Sequence, residues 1–293
     1  MKENSRGGNG MEKMRLLWNL RRTTRQFGLP ELVFCCTLFF LGGVIGSFLL
    51  LSTSQHVEDE LVKDSVRFLP HGRSGEALPS SVEYQILSWK PRAVYFPNFA
   101  TSKQCQQIIK KAKVNLHPSG LALRKGESVA STKGVRTSSG TFINALEDPS
   151  GALKAIDDKI ARVTMIPSEN GEAYNVLRYE IGQKYASHFD SFNPNEYGVL
   201  KSQRVASFLL YLSDVEEGGE TMFPYENESN MNVGYDYEQC IGLKVKPRQG
   251  DGLLFYSLFV NGTIDPTSLH GSCPVIKGEK WVATKWLRNK NNF

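Results

Sequence analysis

The 293-residue chain is long enough to bury one substantial core and still carry accessory segments. Its 40% hydrophobic and 22% charged content is that of an ordinary globular protein. The formal charge of +5 comes from the first thirty residues, where Lys2, Arg6, Lys13, Arg15, Arg21, Arg22 and Arg25 face only Glu3 and Glu12. The rest of the chain is balanced, so charge gives no argument for nucleic-acid binding.

Residues 1–31 read as a basic tail with glycines near its start, and a solvated flank is favoured over a membrane-lying helix from residue 11. Residues 32–51, LVFCCTLFFLGGVIGSFLLL, contain no charge and suffice for one transmembrane helix. A cleaved signal peptide is the rival, but its apolar part would be shorter and nearer the start, so an uncleaved signal-anchor is favoured. Basic residues precede the run, and Glu58, Asp59, Glu60 and Asp64 follow it. The positive-inside tendency then puts the tail in the cytosol and the bulk of the chain in the lumen, a single-pass type II arrangement. Residues 52–84 mix serines, charges, prolines and glycines and read as a stem, with a short helix near 57–68.

The folded domain is expected over residues 85–293. Strands fit 85–96, and Pro97-Asn98-Phe99 makes a turn. Thr101 or Ser102 caps a helix to about Val114, burying Ile108, Ile109 and Ala112. A loop covers 118–134, extended chain resumes at Arg136, and a second helix spans 152–163. From 173 onward the pattern is β-rich: 174–179, 184–189, 205–212, 242–245, 252–257 and 280–287. The whole reads as α+β, mainly β: a sandwich or barrel with helices on one side.

A lumen permits disulfides. Cys35 and Cys36 lie in the apolar run; of Cys105, Cys240 and Cys273, the pair Cys240–Cys273 is preferred because both flank strands of one expected sheet. Asn227-Glu-Ser and Asn261-Gly-Thr are glycosylation sequons compatible with luminal exposure.

The chemistry centres on VLRYEIGQKYASHFD, residues 176–190, and SLHGSCPVIKGEKWVATKW, residues 268–286. His188 and Asp190 are two apart on a strand and share a face. With His270 they form a 2-His-1-carboxylate set, which suits non-haem Fe(II) with open positions for a 2-oxo acid and O2. Lys280 offers a cation for the far carboxylate of that acid. Strand parity turns Lys280, Val282, Thr284 and Trp286 to one face and Lys285 outward. Lys277 precedes a glycine and reads as a turn residue, while His56, His71 and His117 read as surface residues. Trp281 and Trp286 both fit a core, and Trp286 fits a substrate wall equally well.

At these residues the chain resembles the prolyl 4-hydroxylases, most closely the plant, membrane-anchored, single-polypeptide kind. The motifs are Arg136-Thr-Ser-Ser-Gly140, Arg178-Tyr-Glu-x-Gly-Gln-Lys-Tyr185 running into His188-Phe-Asp190, Tyr211-Leu-Ser-Asp-Val-Glu-Glu-Gly-Gly-Glu-Thr221-x-Phe-Pro224, Ser268-Leu-His270-x-x-Cys-Pro274, and Gly278-x-Lys-Trp-x-Ala-Thr-Lys-Trp286. The resemblance covers about residues 85–289. It implies a double-stranded β-helix (jelly-roll) core with supporting helices. It implies Fe(II) on His188, Asp190 and His270, and 2-oxoglutarate on Lys280 helped by Tyr179 and Thr221. It implies a peptide groove lined by Tyr185, Arg204 and Trp286 under a mobile loop containing Arg136. Arg288 departs from the family, whose members often carry His there; that bears on substrate preference.

The implied reaction turns peptidyl proline into 4-hydroxyproline while 2-oxoglutarate and O2 yield succinate and CO2, with L-ascorbate restoring oxidised iron. The implied partner is a proline-rich secreted or cell-wall polypeptide in polyproline II form, whose flat rings suit aromatic walls. The implied place is the endoplasmic reticulum or Golgi membrane. Two alternatives keep the residues but change the role: hydroxylation of another peptide side chain, or a non-catalytic polyproline-binding membrane subunit. Neither a homo- nor a hetero-oligomer is specified.

Overall fold

The computed structural model describes residues 82–291 and, before them, residues 28, 30, 33–34, 36–45 and 47. The basic tail, the ends of the apolar run and the stem lie, apart from those positions, outside the described residues. The chain divides into a unit of residues 1–64 and a unit of residues 65–293. In the first, the described residues between 30 and 47 are helical, with Phe34, Phe39, Phe40 and Ile45 exposed. Among the described residues no helix is long and apolar enough to cross a membrane.

The second unit is mainly β. Its strands are β1 (Gln85–Trp89), β2 (Arg92–Phe96), β3 (His117–Pro118), β4 (Ser139–Ile143), β5 (Tyr174–Tyr179), β6 (Tyr185–His188) and β7 (Arg204–Tyr211). They continue as β8 (Glu217–Gly218), β9 (Thr221–Phe223), β10 (Leu243–Val245), β11 (Gly252–Tyr256), β12 (His270–Ser272), β13 (Val275–Lys277) and β14 (Lys280–Arg288). The large sheet runs β1-β2-β11-β7-β14-β5-β4-β3, the small one β10-β9-β12-β6, and β13 pairs with β8. The pairings are antiparallel, consistent with a jelly-roll.

Helices cover one face of the large sheet. Helix α1 (Ser102–Ala112) starts with a capping box between Thr101 and Gln104 and buries Cys105, Ile108 and Ala112, one stripe at helical spacing. It ends two residues before the expected Val114, giving way to a 3-10 turn, Lys113–Asn115. Helix α2 (Ala152–Thr164) buries Leu153, Ile156 and Ile160. These side chains join Phe208, Leu210, Trp281, Ala283 and Leu287 in one core. A second core lies between the sheets, with Tyr179, Tyr211 and Val282 from the large sheet and Phe223 and Val245 from the small one.

Alternation along β14 separates these cores. Lys280 is buried toward the inter-sheet side, whereas Lys285 lies on the helix side. Lys285 faces out of the sandwich, yet not into water: it is 4% exposed and pairs with Asp157 of α2 at 2.9 Å. Lys277, expected in a turn, ends strand β13 and is exposed beside Glu216.

Candidate active site

Strand pairing assembles the site. In the β6–β12 pair His270 stands directly opposite His188. Asp190, two residues past His188, lies between the imidazoles: Oδ1 is 3.5 Å from His188 Nε2, and Oδ2 is 3.5 Å from His270 Nε2. One ligand atom from each of these residues lies within 4.8 Å of the others. Each imidazole donates its Nδ1 proton to a backbone carbonyl, His188 to Ala186 and His270 to Ser268, both at 2.9 Å. A carbonyl only accepts, so both Nε2 lone pairs are left facing the shared centre. Ser207 Oγ donates to Asp190 Oδ2 at 2.5 Å and orients the carboxylate.

The electrostatics suit a divalent cation. Burial pushes the Asp190 carboxyl up, but His270, His188 and Arg204 hold it well below the usual carboxylate range. Burial lowers the His270 pKa to about 4, so that ring is neutral near pH 7 and free to ligate. The donor set, its burial and its tautomers therefore fit Fe(II). The other close cluster among the described residues is Glu220, Cys240 and Cys273, and its sulfurs are occupied by a disulfide.

A second buried cluster lies along β12 from His270. Lys280 is 1% exposed, and Nζ donates to Ser272 Oγ at 2.8 Å. Among the described residues no carboxylate lies within ion-pair distance of it, and burial lowers its pKa to about 7. Tyr179 is its register partner on β5, with the ring 5.3 Å from Nζ. Thr221 is the register partner of Ser272 and accepts a hydrogen bond from Tyr211 at 2.8 Å. Lys280, Tyr179 and Thr221 thus lie in one buried cluster with Ser272 and Tyr211.

The residues expected to line a groove form two stacks. Tyr185 lies on His188, ring centroids 3.7 Å apart, and Arg136 covers Tyr185 at 4.6 Å. Arg204 lies over Trp286 at 3.6 Å and is held by Glu172. Trp286 pairs in register with Ser207, the residue that touches Asp190. Its Nε1 is buried with no acceptor, whereas Trp281 packs in the helix-side core. Arg288 does not stand apart: it shares Glu172 with Arg204.

Cys240 and Cys273 are bonded, with Cα atoms 5.4 Å apart, so the residue after Ser272 is tied to the loop before β10. That loop also grips β6. Ser187 N donates to Tyr237 O and Ser187 Oγ meets Tyr235 Oη, both at 2.9 Å, while Lys184 pairs with Glu238 at 2.7 Å. Cys105 is a buried free thiol, and Asn227, Asn261 and His117 are exposed. His56 and His71 lie outside the described residues. A cleft of about 410 Å³ lined by Lys90, Glu228, Met231, Phe259 and Thr267 contains none of the ligating groups.

The 2OG-Fe(II) oxygenase superfamily matches residues 174–288, the segment that holds the triad and Lys280. Over 275 residues the chain is 62% identical to probable prolyl 4-hydroxylase 9 of Arabidopsis thaliana, covering 91% of this chain and 96% of the relative. The chain belongs to the prolyl 4-hydroxylase family. Within that family it is also 54% identical to prolyl 4-hydroxylase 13 of Arabidopsis thaliana, covering 90% of this chain and 92% of the relative. Among solved structures it is similar to the viral collagen prolyl hydroxylase of Paramecium Bursaria Chlorella virus-1 in its 2OG complex. There the identity is 25%, the coverage 67% of this chain and 95% of that one, and the TM-score 0.49.

The sequence reading missed Ser272, Tyr211, Ser207 and Glu172. Ser207 and Tyr211 sit on the face of β7 opposite Phe208 and Leu210, so alternation carried a signal. Ser272 and Glu172 acquire their roles only through pairings across the fold.

Proposed function

We propose that this member of the prolyl 4-hydroxylase family hydroxylates C4 of peptidyl proline in proline-rich secreted or cell-wall polypeptides. One oxygen atom of O2 enters proline and the other enters succinate, formed with CO2 from 2-oxoglutarate. The observation that carries the reading is the triad His188, Asp190 and His270 beside Lys280, a buried amine with no carboxylate within ion-pair distance among the described residues. His188, Asp190 and His270 would hold Fe(II), which supplies the oxidising chemistry when bound. Lys280 would neutralise the distal carboxylate of 2-oxoglutarate, with Tyr179 and Thr221 closing the pocket. Tyr185 and Trp286 would give aromatic walls to an extended proline-rich chain, and Arg136 and Arg204 would fix its backbone. Ascorbate would restore iron oxidised without substrate turnover.

The apolar residues 32–51 would anchor the protein in the endoplasmic reticulum or Golgi membrane with the catalytic unit in the lumen. The charge asymmetry about that run supports this, as do the exposed sequons at Asn227 and Asn261 and the cysteine pair 240–273.

The test is the purified full-length protein in detergent with Fe(II), 2-oxoglutarate, ascorbate and a proline-rich peptide library. Peptide-dependent succinate and one added oxygen on proline C4 are expected. Oxygen on another side chain would transfer the activity to a different residue class. Peptide binding without any oxygen transfer would leave a binding subunit.

A further inference from the structure

The large sheet has eight strands and the small one four, so part of the large sheet's inner face has no strand across from it. Phe142 of β4 stands on that face. Its register partner is Asn175 of β5, and Leu177 and Tyr179, at two-residue spacing from Asn175, face the small sheet. Ile143, next to Phe142, packs in the helix-side core instead. Phe142 is 64% exposed. A lone exposed apolar side chain needs no explanation, but this one continues the aromatic wall beside the triad: its ring centroid lies 6.4 Å from that of Trp286.

Asn175 shares that face. It is 4% exposed, and among the described residues its side-chain amide makes no hydrogen bond. In register it stands between Phe142 and Thr284, one two-residue step from the row of Trp286 and Ser207, and Ser207 Oγ touches Asp190. A buried amide without a partner is costly, so a ligand that supplies one gains what the free protein lacks. The Asn175 amide offers two donors and an acceptor. A polyproline II chain offers the complement, since its carbonyls carry no internal hydrogen bonds and proline has no N–H to occupy them.

We propose that Phe142 and Asn175 form an outer subsite for a second proline of the same peptide, with the pyrrolidine ring on Phe142 and a backbone carbonyl accepting from the Asn175 amide. The inference rests on the proline-hydroxylation reading above and adds a substrate class to it: chains with two prolines at a set separation. That separation follows from the sheet. Strand β4 lies three strands from β7, which carries Ser207, or about 14 Å at the usual strand spacing. Polyproline II rises about 3.1 Å per residue, so the two prolines are about four to five residues apart.

The test uses the full-length protein with Fe(II), 2-oxoglutarate and ascorbate, and peptides with one target proline and a second proline moved through successive positions on either side of it. Mass spectrometry locates the added oxygen. At a separation of about four to five residues, kcat/KM is expected to be about threefold to tenfold higher with proline than with alanine at the second position, the worth of one aromatic contact. Phe142→Ala should bring that ratio to one, and Phe142→Trp should preserve it. Asn175→Leu should raise the peptide KM at every separation without moving the KM for 2-oxoglutarate. A general loss of fold lowers all peptides together and leaves the proline-to-alanine ratio intact. A ratio of one at that separation, or a ratio unmoved by Phe142→Ala, overturns the subsite while leaving proline hydroxylation standing. Equal shifts of both KM values in Asn175→Leu overturn the part given to Asn175. Failure to hydroxylate any peptide overturns both readings.

Discussion

His188 and His270 are register partners across the β6–β12 pair, and each gives its Nδ1 proton to the carbonyl two residues before it. The same local device on two antiparallel strands leaves two matched Nε2 atoms, and Asp190 sits between them. The three side chains thus converge on one centre.

Metal should accordingly stabilise the fold, and only through these three residues. A metal at a hundredfold excess over its Kd adds about 2.7 kcal/mol. Wild-type protein should therefore melt several degrees higher with Fe(II), or with a non-oxidising divalent surrogate, than with chelator. His270→Ala and Asp190→Asn should lose most of this shift together with turnover. Thermal melts with and without chelator read it directly, and an undiminished shift in both variants would remove the triad as the metal site.

Lys280 makes a pH-dependent contribution whose sign follows from its environment. Burial lowers its pKa to about 7 from the ordinary 10.5. Between those values the unfolded chain binds more protons than the native one, so the stability of the ligand-free protein should rise with pH across that window. A bound dianion needs the charged form, so 2-oxoglutarate affinity should fall as pH rises above about 7. Lys280→Met should abolish 2-oxoglutarate binding and stabilise the ligand-free protein at pH 6 by roughly 1–3 kcal/mol, because a buried unpaired charge is gone. Calorimetric titration and melts from pH 6 to 9 test both halves.

The disulfide holds more than two sulfur atoms. Cys273 follows Ser272, the acceptor for Lys280, and Cys240 ends the loop whose Tyr235 and Tyr237 grip Ser187 beside His188. Cys240→Ser with Cys273→Ser should cost about 2–4 kcal/mol of stability. It should also raise the KM for 2-oxoglutarate more than it lowers kcat. Reductant should reproduce both effects in the wild type and change nothing in the double variant.

The long elements and the triad were legible for a physical reason. Strands β5, β7 and β14 have six to nine residues, enough for alternation to show, and β5 was bounded correctly at Tyr174 and Tyr179. Face parity put His188 with Asp190, although β6 ends at His188 and Asp190 lies in the bend after it, and it put Lys280 opposite Lys285. Strands β8, β9, β12 and β13 have two or three residues and carry no period of their own. They exist because partners lie beside them, so Ser272 at the Lys280 pocket could not be foreseen. Tyr179 and Thr221 entered by resemblance, and their neighbours Tyr211 and Ser272 became visible through pairing.

Lys285 and Asp157 provide a contrast to Lys280 on the same strand. Lys285 Nζ lies 2.9 Å from Asp157 Oδ1, 4.5 Å above the Tyr174 ring, and Tyr174 Oη donates to Asp157 Oδ1 at 2.8 Å. Gly171 completes the enclosure, since a Cβ there would meet Lys285 Cε at 2.2 Å. This buried lysine has its counter-ion inside the protein, so its task is to dock α2 on the sheet. Removing one partner leaves a buried charge alone, and Asp157→Ala should destabilise by about 3–5 kcal/mol. Below its melting range that variant should keep the wild-type KM for 2-oxoglutarate, whereas Lys280 variants should not. A raised KM with an unchanged melting temperature in Asp157→Ala would mean that the two lysines are coupled through β14.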